Sequence, residues 1–186
     1  LLYSEDPIVF QNVINRLLVS DLEISATPVF EQQVKKTKSV PDLCISQSSY
    51  NIYFETKIED WYYTDQIDRH LMDLSQYKNS NNILFLLCNF DNDDYESRFT
   101  KEVEIARNYD VQLRPVSFED LIETLESECV KLDNAFLSVL QDFRVFLEKG
   151  NYLALWRNRL DVVNCGGTSG EIELGFYACP DKTGSY

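Results

Sequence analysis

Pro41-Asp42-Leu43-Cys44-Ile45, then Asn51-Ile52-Tyr53-Phe54-Glu55-Thr56-Lys57-Ile58, then Thr64-Asp65-Gln66-Ile67-Asp68-Arg69-His70-Leu71, is the stretch on which the fold turns. The first two runs are short and largely apolar. Between them Gln47-Ser48-Ser49-Tyr50-Asn51 is turn chemistry, so a hairpin of strands is expected. Side chains alternate between the two faces of a strand. Ile52, Phe54, Thr56 and Ile58 therefore share one face and Tyr53, Glu55 and Lys57 the other, with Glu55 and Lys57 about 7 Å apart along the strand. Asp42, Glu55 and Lys57 are charges inside runs that otherwise read as core. Charges in such places need a partner, and a bound metal ion is a common one.

Downstream, Thr64 reads as an N-cap and Asp65 to Lys78 as a helix. Ile67, Leu71 and Leu74 form its core face, and Gln66, His70, Asp73 and Tyr77 a polar stripe beside it. Asn82 to Phe90 is a continuous apolar run, as expected for a central strand buried on both faces. Asp91-Asn92-Asp93-Asp94 lacks the ligand spacing of a calcium hand and reads as a solvated loop. A helix on Phe99, Val103 and Ala106 is expected from Tyr95 to Tyr109, then a strand from Val111 to Val116. Ser117-Phe118-Glu119-Asp120 resembles a capping box opening a helix to about Glu128. Asp133 caps a longer helix that stops at Gly150.

Upstream, Asp6-Pro7 is a helix start, with Ile8, Val13, Ile14, Leu17 and Leu18 on one face and an end near Ser20-Asp21. Thr27 to Lys38 reads as a strand with a polar end, running into a basic turn over Lys35 to Ser39. The element order predicts an α/β chain with a mixed central sheet flanked by helices. Residues 1–150 form the expected domain. From residue 151 the texture changes, with Trp156-Arg157-Asn158-Arg159, Gly166-Gly167 and a strand pattern over Glu171 to Ala178. Residues 151–186 are read as a helical and β-hairpin extension, or the start of a truncated second domain.

At 44% hydrophobic and 13% aromatic, the chain is composed for a packed core. Its longest apolar run, Ile83 to Cys88, falls far short of the roughly 20 residues of a membrane helix. Leu1-Leu2 leads at once into Tyr3-Ser4-Glu5-Asp6 without a secretory pattern, and a first residue other than Met suggests a trimmed chain. Cys44, Cys88, Cys129, Cys165 and Cys179 are odd in number and scattered, as expected of reduced thiols. A cytoplasmic protein with no membrane partner is the expectation. The net charge of -14 argues against a broad, non-specific grip on nucleic acid, with Lys35, Lys36 and Lys38 as the local exception.

Pro41-Asp42, twelve further residues, then Glu55-Thr56-Lys57 resembles the signature of the PD-(D/E)XK nuclease superfamily. The element order from roughly Leu2 to Glu126 resembles that family's core. The resemblance implies a restriction-endonuclease-like core and a Mg²⁺-dependent deoxyribonuclease, with Mn²⁺ as an alternative ion. By it, Asp42 and Glu55 bind one or two metal ions, the Thr56 carbonyl is a further ligand, and Lys57 assists the attacking water and stabilises transition-state charge. Hard cations do prefer carboxylate and carbonyl oxygens, and Mg²⁺ keeps waters that can serve as nucleophiles. Some branches of the superfamily carry a Gln-x-x-x-Tyr motif on the following helix. Here Gln66-Ile67-Asp68-Arg69-His70 matches the Gln and ends in His70, which can hydrogen-bond a phosphate or a nucleotide edge. Lys35, Lys36 and Lys38 are the expected phosphate contacts and DNA the expected partner. A homodimer, or a further C-terminal domain or subunit, would supply the rest of the grip.

Other readings stay open. Asp42, Glu55 and Lys57 can be an ordinary ion cluster on a sheet face. The same fold can serve as a catalytically inactive module for protein or nucleic-acid binding, which the acidic charge favours. Regular rows of acidic residues would instead make a DNA mimic. Ser-His-Asp or Cys-His catalysis is not indicated, because His70 is the single histidine and no Gly-x-Ser-x-Gly elbow exists. The chain also has no P-loop and no Gly-x-Gly-x-x-Gly, which argues against a nucleotide-driven motor.

Overall fold

A computed structural model describes residues 1–19, 27–58, 62–78, 80–90 and 94–150. Its contacts divide the chain into a unit from Leu1 to Leu153 and a second from Ala154 to Tyr186. The hairpin expected over Glu171 to Ala178, and the acidic loop at residues 91–93, lie outside the described residues.

The first unit is α/β. A short helix α1 (Leu2–Glu5) leads to α2 (Pro7–Leu18), then β1 (Val29–Gln32), β2 (Leu43–Gln47) and β3 (Tyr50–Lys57). After α3 (Thr64–Leu74) come β4 (Asn81–Cys88), a 3₁₀ turn (Tyr95–Phe99), α4 (Thr100–Asn108), β5 (Val111–Ser117), α5 (Phe118–Glu128) and α6 (Asn134–Lys149). The sheet runs β1-β2-β3-β4-β5. The first three strands are antiparallel neighbours, and β4 and β5 then join parallel, each after a helical crossover. The expected mixed sheet is therefore present, flanked by helices.

Two cores flank the sheet. On one face Tyr53, Leu84 and Leu86 pack against Ile67, Leu71 and Leu74 of α3 and Ala106 of α4. On the other, Ile45, Ile52, Ile83 and Phe85 pack against Phe10, Val13, Ile14, Leu17 and Leu18 of α2. Leu84, Phe85 and Leu86 have no exposure, so β4 is buried on both faces, as its unbroken apolar run requires. Each such side chain contributes about 1.5–3 kcal/mol of burial free energy. A third cluster joins α5 to α6 through Ile122, Cys129, Leu140 and Leu147.

The caps follow the residue types. Asp6 accepts from the Ile8 and Val9 N–H groups ahead of Pro7. Ser117 and Asp120 form a complete capping box, and Asp133 accepts from the Phe136 N–H. Several expectations need correction. Ile8 is 70% exposed, because it lies in the first turn and Phe10 takes the inward place. The strand expected from Thr27 to Lys38 shrinks to β1, because Gln33 turns to a left-handed φ of 49° and leads the chain off the sheet. Thr64 is the first residue of α3, not its cap; Tyr63 is the cap, without a side-chain bond. The helix stops at Leu74, four residues before Lys78, as Gln76 and Tyr77 tighten to i−3 bonds. The helix expected from Tyr95 begins as the 3₁₀ turn, whose Tyr95 stacks on Phe90 at 4.2 Å.

Cys44, Cys88 and Cys129 are buried thiols, none in a disulfide; Cys165 and Cys179 lie outside the described residues. Among the described residues no helix is long and apolar enough to cross a membrane.

Candidate active site

β3 alternates as its sequence predicts. Tyr53, Glu55 and Lys57 face α3, while Ile52 and Phe54 face α2. In the antiparallel register Leu43 pairs with Phe54, which carries Asp42 alongside Glu55 at the start of β2. The Asp42 N–H donates to Phe54 O at 3.0 Å, and its Oδ2 accepts the Thr56 N–H at 2.8 Å. In a strand, the N–H and C=O of one residue point to the same side. The Thr56 carbonyl is therefore directed toward the Asp42 side of β3.

The polar stripe of α3 lies over this face. Gln66 Nε2 and Lys57 Nζ each donate to Glu55 Oε1 at 2.5 Å, and His70 Nε2 lies 3.0 Å from Glu55 Oε2. Glu55 is 2% and His70 1% exposed, while the Lys57 side chain keeps 26%. His70 Nδ1 is buried with no hydrogen-bond partner. The structure thus brings Asp42, Glu55, Lys57, Gln66 and His70 into one cluster.

The two carboxyls are pushed in opposite directions. Burial alone would raise Glu55, but hydrogen bonds from His70 and Lys57, with the positive charge they bring, outweigh it and hold the group below the usual carboxylate range. Asp42 is raised, first by burial and then by the charge of Glu55; the Thr56 N–H, Lys57 and His70 oppose this by less. The charged form of Glu55 is thereby favoured and that of Asp42 disfavoured.

Among the described residues, no group of three or more His, Cys, Asp and Glu side chains is arranged to hold a metal ion. A cation here would depend on the two carboxylates, the Thr56 carbonyl and water. That suits Mg²⁺, which usually takes one or two carboxylates and keeps several waters. A carboxylate offers about four lone-pair positions. Glu55 already accepts from three donors, and Asp42 Oδ2 from one. Asp42 is therefore the better provided ligand, and the donor set fits a hard cation.

The three lysines of the basic turn differ in their surroundings. Lys36 pairs with Glu31 at 2.6 Å, and Lys38 Nζ lies 3.4 Å from Met72 Sδ, while Lys35 is exposed. The turn is instead held by Asp73 of α3, which is 3% exposed. Its carboxylate accepts from the Lys38 N–H at 3.0 Å and from the Ser39 N–H and hydroxyl at 2.8 and 2.7 Å. Asp73→Ala is expected to cost about 3 kcal/mol in urea unfolding, because it orphans these donors. A cost near zero would show that the turn is held by something else.

Sequence reasoning missed Tyr62. Its hydroxyl lies 2.7 Å from Leu87 O and 3.2 Å from Glu55 O. Within Trp61-Tyr62-Tyr63 no periodicity marks it out. An open groove of about 850 Å³ runs along the outer edge of β5, lined by Thr100, Arg107, Gln112 and Arg114 among others. None of the five clustered residues borders it. No family profile, curated protein or solved structure matches the chain.

Proposed function

We propose that the chain is a metal-dependent nuclease that hydrolyses phosphodiester bonds, with DNA as the substrate and a restriction-endonuclease-like core as its scaffold. The observation that carries this reading is the convergence of Asp42, Lys57, Gln66 and His70 around Glu55 at adjoining strand ends. Asp42, Glu55 and the Thr56 carbonyl would hold Mg²⁺, or Mn²⁺ in its place. When bound, the ion would polarise a phosphoryl oxygen and lower the pKa of a water. Lys57 is exposed enough to swing from Glu55 toward an incoming phosphate, where its ammonium orients the attacking water and stabilises developing charge. Gln66 and His70 each hold one Glu55 oxygen and so fix the carboxylate's orientation.

A second reading has its own support. Glu55 is largely saturated by protein donors, the net charge is -14, and Lys36 is spent on Glu31. These features suit a catalytically inactive module on the same scaffold, acting in protein or nucleic-acid binding.

Calorimetric titration with Mg²⁺ and Mn²⁺, beside cleavage assays on single- and double-stranded DNA and RNA, separates the two. The nuclease reading expects metal binding that Glu55→Gln weakens. It also expects cleavage that Lys57→Ala slows at least about 10²-fold while metal binding is retained. Wild-type protein that cleaves no nucleic acid with either ion would overturn it. Absent binding, or binding indifferent to Glu55→Gln, favours the inactive module.

A further inference from the structure

Tyr62 stands behind the site, between β3 and α3. Its ring is half-buried and packs against the core beneath α3 and α4, edge-on to Phe99 with centroids 6.1 Å apart. Its hydroxyl reaches the point where β3 ends at Lys57 and β4 at Cys88. There it donates to Leu87 O at 2.7 Å and lies 3.2 Å from Glu55 O. The Lys57 backbone N–H is directed toward the Tyr62 phenol oxygen. The two strands are parallel, with Glu55 opposite Leu86 and Lys57 opposite Cys88. The phenol is thus an extra rung at the end of the ladder, touching the backbone of both residues whose side chains form the ion pair.

We propose that Tyr62 is a positioning residue for this site: its hydroxyl clamps the ends of β3 and β4 together and so sets where the Glu55 carboxylate and the Lys57 ammonium stand. The catalytic consequence rests on the nuclease reading; the geometric one rests on the hydrogen bonds alone. A phenol suits the task because its ring is held by packing and it has few torsions to freeze. Removing the hydroxyl takes this donor from the Leu87 carbonyl and this contact from the Glu55 carbonyl, and frees the strand ends to shift. Displacements of about 1 Å are enough to slow a catalysed step about 10²-fold.

The test is Tyr62→Phe in the full chain, which keeps the ring and removes the clamp. Tyr95→Phe, which removes another buried hydroxyl bonded to Asp120, is the control. Thermal unfolding, kcat and KM on DNA with Mn²⁺, and the Glu55 carboxyl ¹³C resonance without metal are measured for both. Tyr62→Phe is expected to fold, to lose at least about tenfold in kcat with KM unchanged, and to shift the Glu55 resonance. Tyr95→Phe is expected to leave kcat and that resonance at wild-type values. An unchanged kcat, a rise in KM alone, or an equal effect from Tyr95→Phe overturns the proposal. If the wild-type chain cleaves nothing, the nuclease reading falls separately. The Glu55 resonance then decides alone: a shift confined to Tyr62→Phe supports the clamp, and no shift overturns it.

Discussion

Glu55→Gln is expected to lower stability by about 3 kcal/mol at neutral pH, read from urea unfolding. The carboxylate is buried and accepts from Lys57, Gln66 and His70. An amide offers one acceptor oxygen in place of two, and turns its own N–H₂ toward a donor. Breaking one side of a buried ion pair leaves the other charge uncompensated, which costs about 3–5 kcal/mol. The partial exposure of Lys57 places this case at the low end. The pH profile carries a second signature. Glu55 is held below its ordinary range, so its stabilisation is present above the unfolded value and is lost as pH falls through the folded one. The wild type should therefore approach the variant in acid, while the variant's profile stays flatter there. Equal stability at neutral pH would show that the three donors gain nothing from the charge.

Asp42→Asn is expected to act in the opposite direction on stability and, under the nuclease proposal, to lower cleavage about 10³-fold. The Asn side-chain oxygen can accept the Thr56 N–H that Asp42 accepts at 2.8 Å. What is removed is a negative charge disfavoured first by burial and then by Glu55. A raised carboxyl contributes stability below its unfolded value and loses it as pH rises through the folded value, so ionised Asp42 costs stability at neutral pH. Removing that cost should raise Tm by about 2 °C or more at neutral pH. The gain should vanish as pH falls and wild-type Asp42 takes up its proton. A folded variant that is less stable than wild type at neutral pH would sink the idea that Asp42 is kept charged at a cost. Together the two substitutions separate a carboxylate whose charge stabilises the fold from one whose charge costs it stability.

Much of this was legible in the chain. Asp6, Ser117 with Asp120, and Asp133 announce three helix starts, because capping is a local bond between residues two or three apart. The period of two puts Glu55 and Lys57 on one face before any partner is known. The stripe of Gln66, His70 and Asp73 is likewise visible as a helix face, while Tyr77, expected to continue it, lies past the end of α3. The stripe's division of labour is not. Gln66 and His70 go to Glu55, Asp73 to the turn at Lys38 and Ser39, and Tyr77 to within 3.4 Å of the Tyr53 hydroxyl.

By itself, then, the sequence determined which residues share a face and where most elements begin. Periodicity and capping are properties of a single segment, set by backbone geometry alone. Only the tertiary structure decided what each face meets. The α3 crossover lays a polar stripe over β3 and carries the Tyr62 hydroxyl to two strand ends. Those partners are 7 to 25 residues apart in the chain. Their meeting depends on strand register and helix docking, which no local pattern encodes.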